Sequence, residues 1–231
     1  MSPGFFWETF IFYGGKYLNI IKNIITDYEK IVKTDIQIPL SNGDVIKFMF
    51  KPQDLPHLLG LQHLVDIPVL FEYSEKRLSA TDLYKMMSGI GEVTIDTDEF
   101  ENSAYFNEIY DGRIRYFSSD LILDIIKAKQ IIKFDNSKIR TFSTKLEKVE
   151  YMFWKKYKDK NNNYGYFGIG FMASGNRADK NYPNTFFFRL EDEYIRYQKR
   201  VFPFSFMKKE NRDLMPGEVR QLLSEYRQKN K

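Results

Sequence analysis

The chain predicts an α+β fold in which N-terminal helices are followed by an antiparallel β-sheet. Three observations carry that prediction. Apolar residues recur at three-to-four spacing through much of the first half. In the second half they fall in short alternating runs separated by Asn-, Asp- and Gly-containing turns. No Ser/Gly-rich linker interrupts the 231 residues, a length that can bury a substantial core. The predicted organisation is an N-terminal helical region, residues 1–33, packed on an α+β domain, residues 34–231.

The helical reading begins at residues 7–32, where Ile11, Phe12, Leu18, Ile21, Ile24, Ile25 and Ile31 share a spacing and Gly14-Gly15 can divide it in two. Residues 35–40 and 45–50 alternate around Asn42-Gly43 and predict a hairpin. Asp54 and Pro56 suit the start of a short helix carrying His57. Ser79-Ala80-Thr81-Asp82 has the form of a capping box and opens a helix to about Met87, closed by Gly89 or Gly91. Further helices are expected over 99–110 and 113–127. Strands are expected over 130–134, 140–144, 148–155, 164–173, 185–190, 194–198 and 201–206, as an antiparallel meander. A basic helix over 216–228 ends the series.

Composition excludes several chemistries. The chain has no cysteine, so a disulfide scaffold, a zinc–thiolate site and a cysteine nucleophile are ruled out. No apolar run reaches the length of a membrane span. The aromatic N-terminus lacks the basic region and cleavage site of a signal peptide, so the expectation is a soluble cytoplasmic protein without a membrane partner. A net charge of +4, from 35 basic and 31 acidic residues, permits nucleic-acid binding without requiring it. Phosphate-cradling loops of the P-loop and dinucleotide types are absent, as is a nucleophile elbow.

Both histidines of the chain, His57 and His63, lie in one apolar segment. Histidine is the side chain that titrates nearest neutrality, so His57 at a helix start is a candidate general base or acid; a packed core histidine is the plain alternative. The spacing of the pair does not suit a zinc helix, and no metal or other cofactor is expected. Arg113 and Arg115 fall on different helix faces, so at most one points into a given site, where its fork suits phosphate. In a strand, Thr185, Phe187 and Arg189 share one face and Phe186 and Phe188 the other. Tyr194, Arg196 and Gln198 would likewise align, an arrangement that suits a nucleotide. Lys155 and Lys156 belong to a basic run with an interleaved Tyr157 that could track a nucleic-acid backbone; a solvated hairpin end is the alternative.

The ten residues from Asp54 to His63, with Phe50-Lys51-Pro52-Gln53 before them, carry a resemblance. The run Phe50-Lys51-Pro52-Gln53-Asp54-Leu55-Pro56-His57-Leu58-Leu59-Gly60-Leu61 resembles the signature of the phage Barnase–EndoU–colicin E5/D–RelE-like nuclease families, the fourth group in particular. Arg113-Ile114-Arg115-Tyr116-Phe117, Tyr182-Pro183-Asn184-Thr185-Phe186-Phe187 and Tyr194-Ile195-Arg196-Tyr197-Gln198 are similar to its later motifs in the same order. The resemblance covers roughly residues 45–205.

It implies helices followed by a four-stranded antiparallel sheet, and metal-independent RNA cleavage of toxin or phage-conflict type. It also implies an RNA substrate and an antitoxin or immunity partner. On this reading His57, Arg115, Thr185, Tyr194 and Gln198 are catalytic, and Arg113, Lys155, Lys156 and Arg196 bind RNA. Thr185 stands where the family commonly has Ser. The rival reading is a non-catalytic RNA- or protein-binding module on the same fold.

Overall fold

The hairpin forms as its alternation requires. Strands β1 (Asp35–Pro39) and β2 (Val45–Met49) pair antiparallel, Ile38 opposite Ile46, with Gly43 at φ 92° in the turn. The computed structural model describes residues 19–40, 43–139, 146, 148–158, 164–173, 181–203 and 207–208. The expected strand over 140–144, the helix over 216–228 and the first part of the helix over 7–32 lie outside the described residues.

Within them, helix α1 (Ile20–Tyr28) buries Ile20, Ile21, Ile24, Ile25 and Tyr28. The short helix α2 (Leu55–Leu59) follows β2 after a 3-10 turn at Pro52–Asp54. Helix α3 (Pro68–Ser74) comes next. Helix α4 (Ala80–Ser88) obeys its sequence signals: Ser79 Oγ accepts the Asp82 amide at 3.1 Å, and Gly89 ends it at φ 72°.

Two expected helices are broken, each by a side chain that competes for the backbone. In the first, Asp96 accepts the Asp98 amide and starts a 3-10 stretch, Thr97–Asn102. Asp66 then takes the Ser103 hydroxyl at 2.6 Å and the Ala104 amide at 2.8 Å, so helix α5 runs only over Phe106–Gly112. In the second, Ser118 accepts the Leu121 amide at 3.1 Å and begins helix α6 (Ser119–Lys127). A 3-10 turn, Ile114–Tyr116, stands between the two helices. Ile114, Phe117, Leu121, Ile125 and Ile126 are all buried even so.

The sheet is larger than the four strands implied by the resemblance, because the N-terminal hairpin joins it. It holds β3 (Ile131–Lys133), β4 (Val149–Lys158), β5 (Tyr164–Ala173), β6 (Asn181–Arg189), β7 (Lys199–Val201) and β8 (Met207–Lys208), in the order β7-β3-β4-β5-β6-β2-β1-β8. All pairings are antiparallel except β2 with β6, where Phe48 meets Asn181. Strand β7 ends at Val201 on β3, and Pro203, two residues on, bridges to Leu40 beyond β1. The two edges therefore meet along one chain segment, and the sheet curls on itself. Asp44, at the start of β2, accepts the Tyr151 hydroxyl of β4 and pairs with Lys133 of β3 at 3.6 Å across that closure.

The expected strand over 194–198 is instead a turn. The Asp192 carbonyl accepts the Ile195 and Arg196 amides at 2.8 and 2.7 Å, and Tyr197 takes φ 66°, a left-handed value foreign to a strand. Tyr194 and Ile195 are then buried side by side, which alternation would forbid.

The sheet has two apolar faces. The inner one carries Phe48, Phe153, Phe171 and Phe186, with ring centroids 4.2 Å apart for Phe48–Phe171 and 5.2 Å for Phe153–Phe171. The helices cover it: Phe117, just before α6, meets Phe186 edge-on at 5.2 Å, and Tyr28 of α1 meets Phe50 at 6.2 Å. Asp27 fastens α1 to α6 by accepting the Ser119 amide at 2.6 Å. The outer face carries Ile132, Met152, Trp154 and Phe187 under Tyr194 and Ile195.

Gly168 makes that outer layer possible. A Cβ there would lie 2.3 Å from the Phe187 ring, which is held from above by Tyr194 at 4.8 Å. Gly168→Ala should cost about 1–3 kcal/mol, read as a lower urea midpoint with the slope unchanged. Gly112→Ala, with open space at that Cβ, is the control and should be near neutral. Equal midpoints for the two variants would reject this packing.

Candidate active site

The outward side of α2 is set by elimination. Leu55, Pro56, Leu58 and Leu59 are buried, and His57 alone of the five remains half-exposed. The helix lies against β6. Gly60 ends it at φ 80°, a left-handed value that glycine adopts without strain.

The last carbonyls of a helix lack intrahelical donors. Here Arg113 supplies one: its Nη1 reaches the His57 and Leu58 carbonyl oxygens, each at 3.4 Å. The guanidinium crosses the face of Gly60 so closely that a Cβ would stand 3.0 Å from its Cδ and Nε. Gly60 thus meets two demands, the backbone turn and the passage of the arginine. Arg113 itself sits at the joint between α5 and the 3-10 turn, at φ −146° and ψ −68°, a backbone break that turns it toward α2.

No carboxylate among the described residues pairs with this half-buried guanidinium. Burial pulls its pKa down to about 10; the Tyr194 phenol opposes that shift and the Arg189 charge adds to it. Arg113 therefore stays cationic at neutral pH, and it shares its surroundings with a second cation. The Arg189 guanidinium lies over the Tyr194 ring at 5.9 Å. His57 feels the same field: burial, then Arg113, then His63 push its imidazole down to about 4, so it is neutral at physiological pH. A neutral imidazole beside the Arg113 guanidinium, with Arg189 adjoining it, can accept a proton while the cations hold an anion. Among the described residues no three His, Asp or Glu side chains converge as metal ligands.

The structure sorts the predicted residues into two groups. His57, Arg113 and Tyr194 come together, and Arg189, noted in the sequence only for its strand face, joins them. The other predicted residues are engaged elsewhere. Arg115 is exposed and pairs with Asp111 at 3.8 Å, because the turn that aims Arg113 inward aims it outward. Thr185 is buried in β6 with its methyl over Gly170. Both amide atoms of Gln198 bond the Asp135 backbone, at 2.9 and 3.0 Å, and hold the turn to the end of β3. Lys155 is paired with Asp124 of α6 on the inner side, whereas Lys156 is exposed on the outer side. Arg196 is held by Asp192 at 2.8 Å. His63 is exposed, with its Nε2 3.4 Å from the Gln62 amide nitrogen.

Asp54, three residues before His57, went unremarked in the sequence beyond its place as an N-cap. Its Oδ2 accepts the Lys51 amide at 2.8 Å, yet burial outweighs that bond and raises the carboxyl to about 6. Its charge in turn helps burial to raise Tyr73 to about 12 and Tyr182 above its ordinary value. Because the folded pKa lies above the unfolded 3.8, the contribution of Asp54 to stability is complete below pH 3.8 and is lost as pH rises through about 6. Asp54→Asn keeps an oxygen for the Lys51 amide and removes the titration. The variant should melt higher than wild type at neutral pH, by about 2–4 °C for roughly 1 kcal/mol regained, and the gap should close near pH 4. Melting curves at both pH values test this; a gap independent of pH rejects it.

Residues 20–223 match the family described as phage-Barnase-EndoU-ColicinE5/D-RelE like nuclease4. The match begins at the first residue of α1 and includes every element described above. No curated protein and no solved structure matches the chain. No helix among the described residues is long and apolar enough to cross a membrane. With the motif residues His57 and Arg113 joined on the curled sheet, and with the match spanning nearly the whole chain, the protein belongs to the fourth phage Barnase–EndoU–colicin E5/D–RelE-like nuclease family, whose substrate is nucleic acid.

Proposed function

We propose that this nuclease is a metal-independent endoribonuclease that cleaves by attack of the 2′-hydroxyl on the adjacent phosphate. The observation that carries the reading is the neutral His57 imidazole beside Arg113, a guanidinium held on carbonyl groups with no carboxylate among the described residues to neutralise it. His57 takes the 2′-hydroxyl proton, the 2′-oxygen bonds to phosphorus, and the bond to the 5′-oxygen breaks. Tyr194 is the acid that returns a proton to that oxygen. Arg113 and Arg189 hold the phosphate oxygens as negative charge builds on them. Arg113 replaces Arg115 in this role because of where its guanidinium lies. Thr185 and Gln198 support the sheet beneath the site. The colicin and RelE likeness in the family description supports a toxin-type setting in the cytoplasm, with an antitoxin or immunity protein as partner.

Purified protein should cut total RNA in EDTA, and His57→Ala should lower the rate by about 10²–10⁴-fold. Unchanged cutting by that variant ends the proposal, and so does wild-type protein that leaves RNA intact. The pH profile gives an independent check. For the free enzyme, kcat/KM should fall on the acid side near pH 4, where the buried imidazole protonates, and not near 6.5. Arg113→Gln removes one of the charges that depress His57, so its acid limb should move upward, along with a loss of rate of about 10²–10³-fold. An acid limb that stays in place would remove Arg113 from the site.

A further inference from the structure

Arg189 is also the first residue of a row that leads away from the site. Across the outer face of the sheet Arg189 of β6 pairs with Tyr166 of β5, and Tyr166 pairs with Lys156 of β4. One step along, Lys158 pairs with Tyr164. Alternation places all five side chains on the same face. Arg189, Lys156 and Lys158 are exposed, and Tyr164 is 49% exposed. Lys156 Nζ stands 3.9 Å from the centroid of the Tyr164 ring, and Lys158 Nζ 5.5 Å. Among the described residues none of the three cations meets a carboxylate, and their nearest neighbours on this face, Trp154, Tyr164, Tyr166, Gly168 and Phe187, carry no charge. The cations of the opposite face differ: Lys155, one residue from Lys156, is neutralised by Asp124. The outer row thus meets no carboxylate among the described residues, interleaves its charge with aromatic rings, and ends at the arginine that adjoins Arg113.

We infer that this row is a binding track for single-stranded RNA, which carries the strand flanking the scissile phosphate from His57 across β6, β5 and β4. The inference rests on the ribonuclease reading and adds the surface that holds the substrate. Unpaired cations would contact successive phosphates, and the tyrosines would stack bases. This combination favours a single strand, whose bases are free to stack, over a duplex. Adjacent strands lie about 4.8 Å apart, so the row from Arg189 to Lys156 spans about 10 Å. Short oligonucleotides would fill the site alone, and longer ones would gain affinity from the track.

The test uses the full chain and a fluorescent 2′-O-methyl dodecamer of uridine, which binds but offers no 2′-hydroxyl for attack. Anisotropy titrations should show Lys156→Ala/Lys158→Ala weakening binding at least tenfold, with the slope of log affinity against log salt smaller by about 1.4, two single-strand contacts. Tyr164→Ala should weaken it by about fivefold or more. Cleavage of an unmodified RNA dinucleotide should be unchanged in both variants. All three residues are on the surface, and circular dichroism confirms that each variant is folded. Dodecamer affinity equal to wild type in the folded double variant overturns the track, as does equal affinity for a duplex of the same length. The two readings separate cleanly. RNA cleavage with unaltered dodecamer binding removes the track and leaves the activity; impaired dodecamer binding by a protein that cuts no RNA keeps the track and removes the proposed catalysis.

Discussion

The parallel pairing of β2 with β6 is the constraint on which the site depends. Strand β2 runs alongside the start of β6, Phe48 opposite Asn181. The chain leaving β2 must therefore continue beside β6. Lys51 is still extended, Pro52 begins the 3-10 turn, and α2 packs against β6. Packing against β6 buries four apolar residues of α2 and leaves one direction for His57. The imidazole is aimed by the burial of its neighbours.

A second consequence concerns charge. A helix of five residues has carbonyl oxygens without internal donors close to its beginning. From the joint after α5, Arg113 donates to the Leu58 carbonyl and to that of His57, which also accepts the Gly60 amide. This places a guanidinium where burial makes an unpaired cation costly and makes its attraction for an anion strong. Burial, reinforced by that charge, holds His57 neutral. One contact therefore completes the helix end and fixes the cation beside the imidazole. Gly60 is the opening that lets the contact form.

The curled sheet separates two tasks. Its inner face and the helices share a continuous aromatic core, and the charged residues that reach that side are neutralised, as Lys155 is by Asp124. Its outer face is apolar only under the turn that carries Tyr194 and Ile195. Beyond that cover the same strands present tyrosines and exposed cations. The glycines of β5 belong to this division. Gly168 and Gly170 make room for Phe187 and Thr185 on the outer side, and Gly165 makes room for Phe188 on the inner.

The parts legible in the sequence were those with local causes. Ser79 and Gly89 delimit α4 because caps act within one turn, and the alternation of 164–173 matches β5 to the residue because both faces of that strand are packed. His57 stood out because its chemistry is scarce in this chain. The expected strand over 194–198 failed because Asp192 offered its carbonyl to two nearby amides, and Pro183 hid the start of β6, where a register shift accommodates it. The choice between Arg113 and Arg115 could not be read locally: its deciding contacts lie 55 and 56 residues away along the chain. The sequence by itself determined the fold class, the family and the histidine that stands out. Only the tertiary structure decided which cations lie beside it, because position and burial belong to neighbours that the chain brings together from a distance.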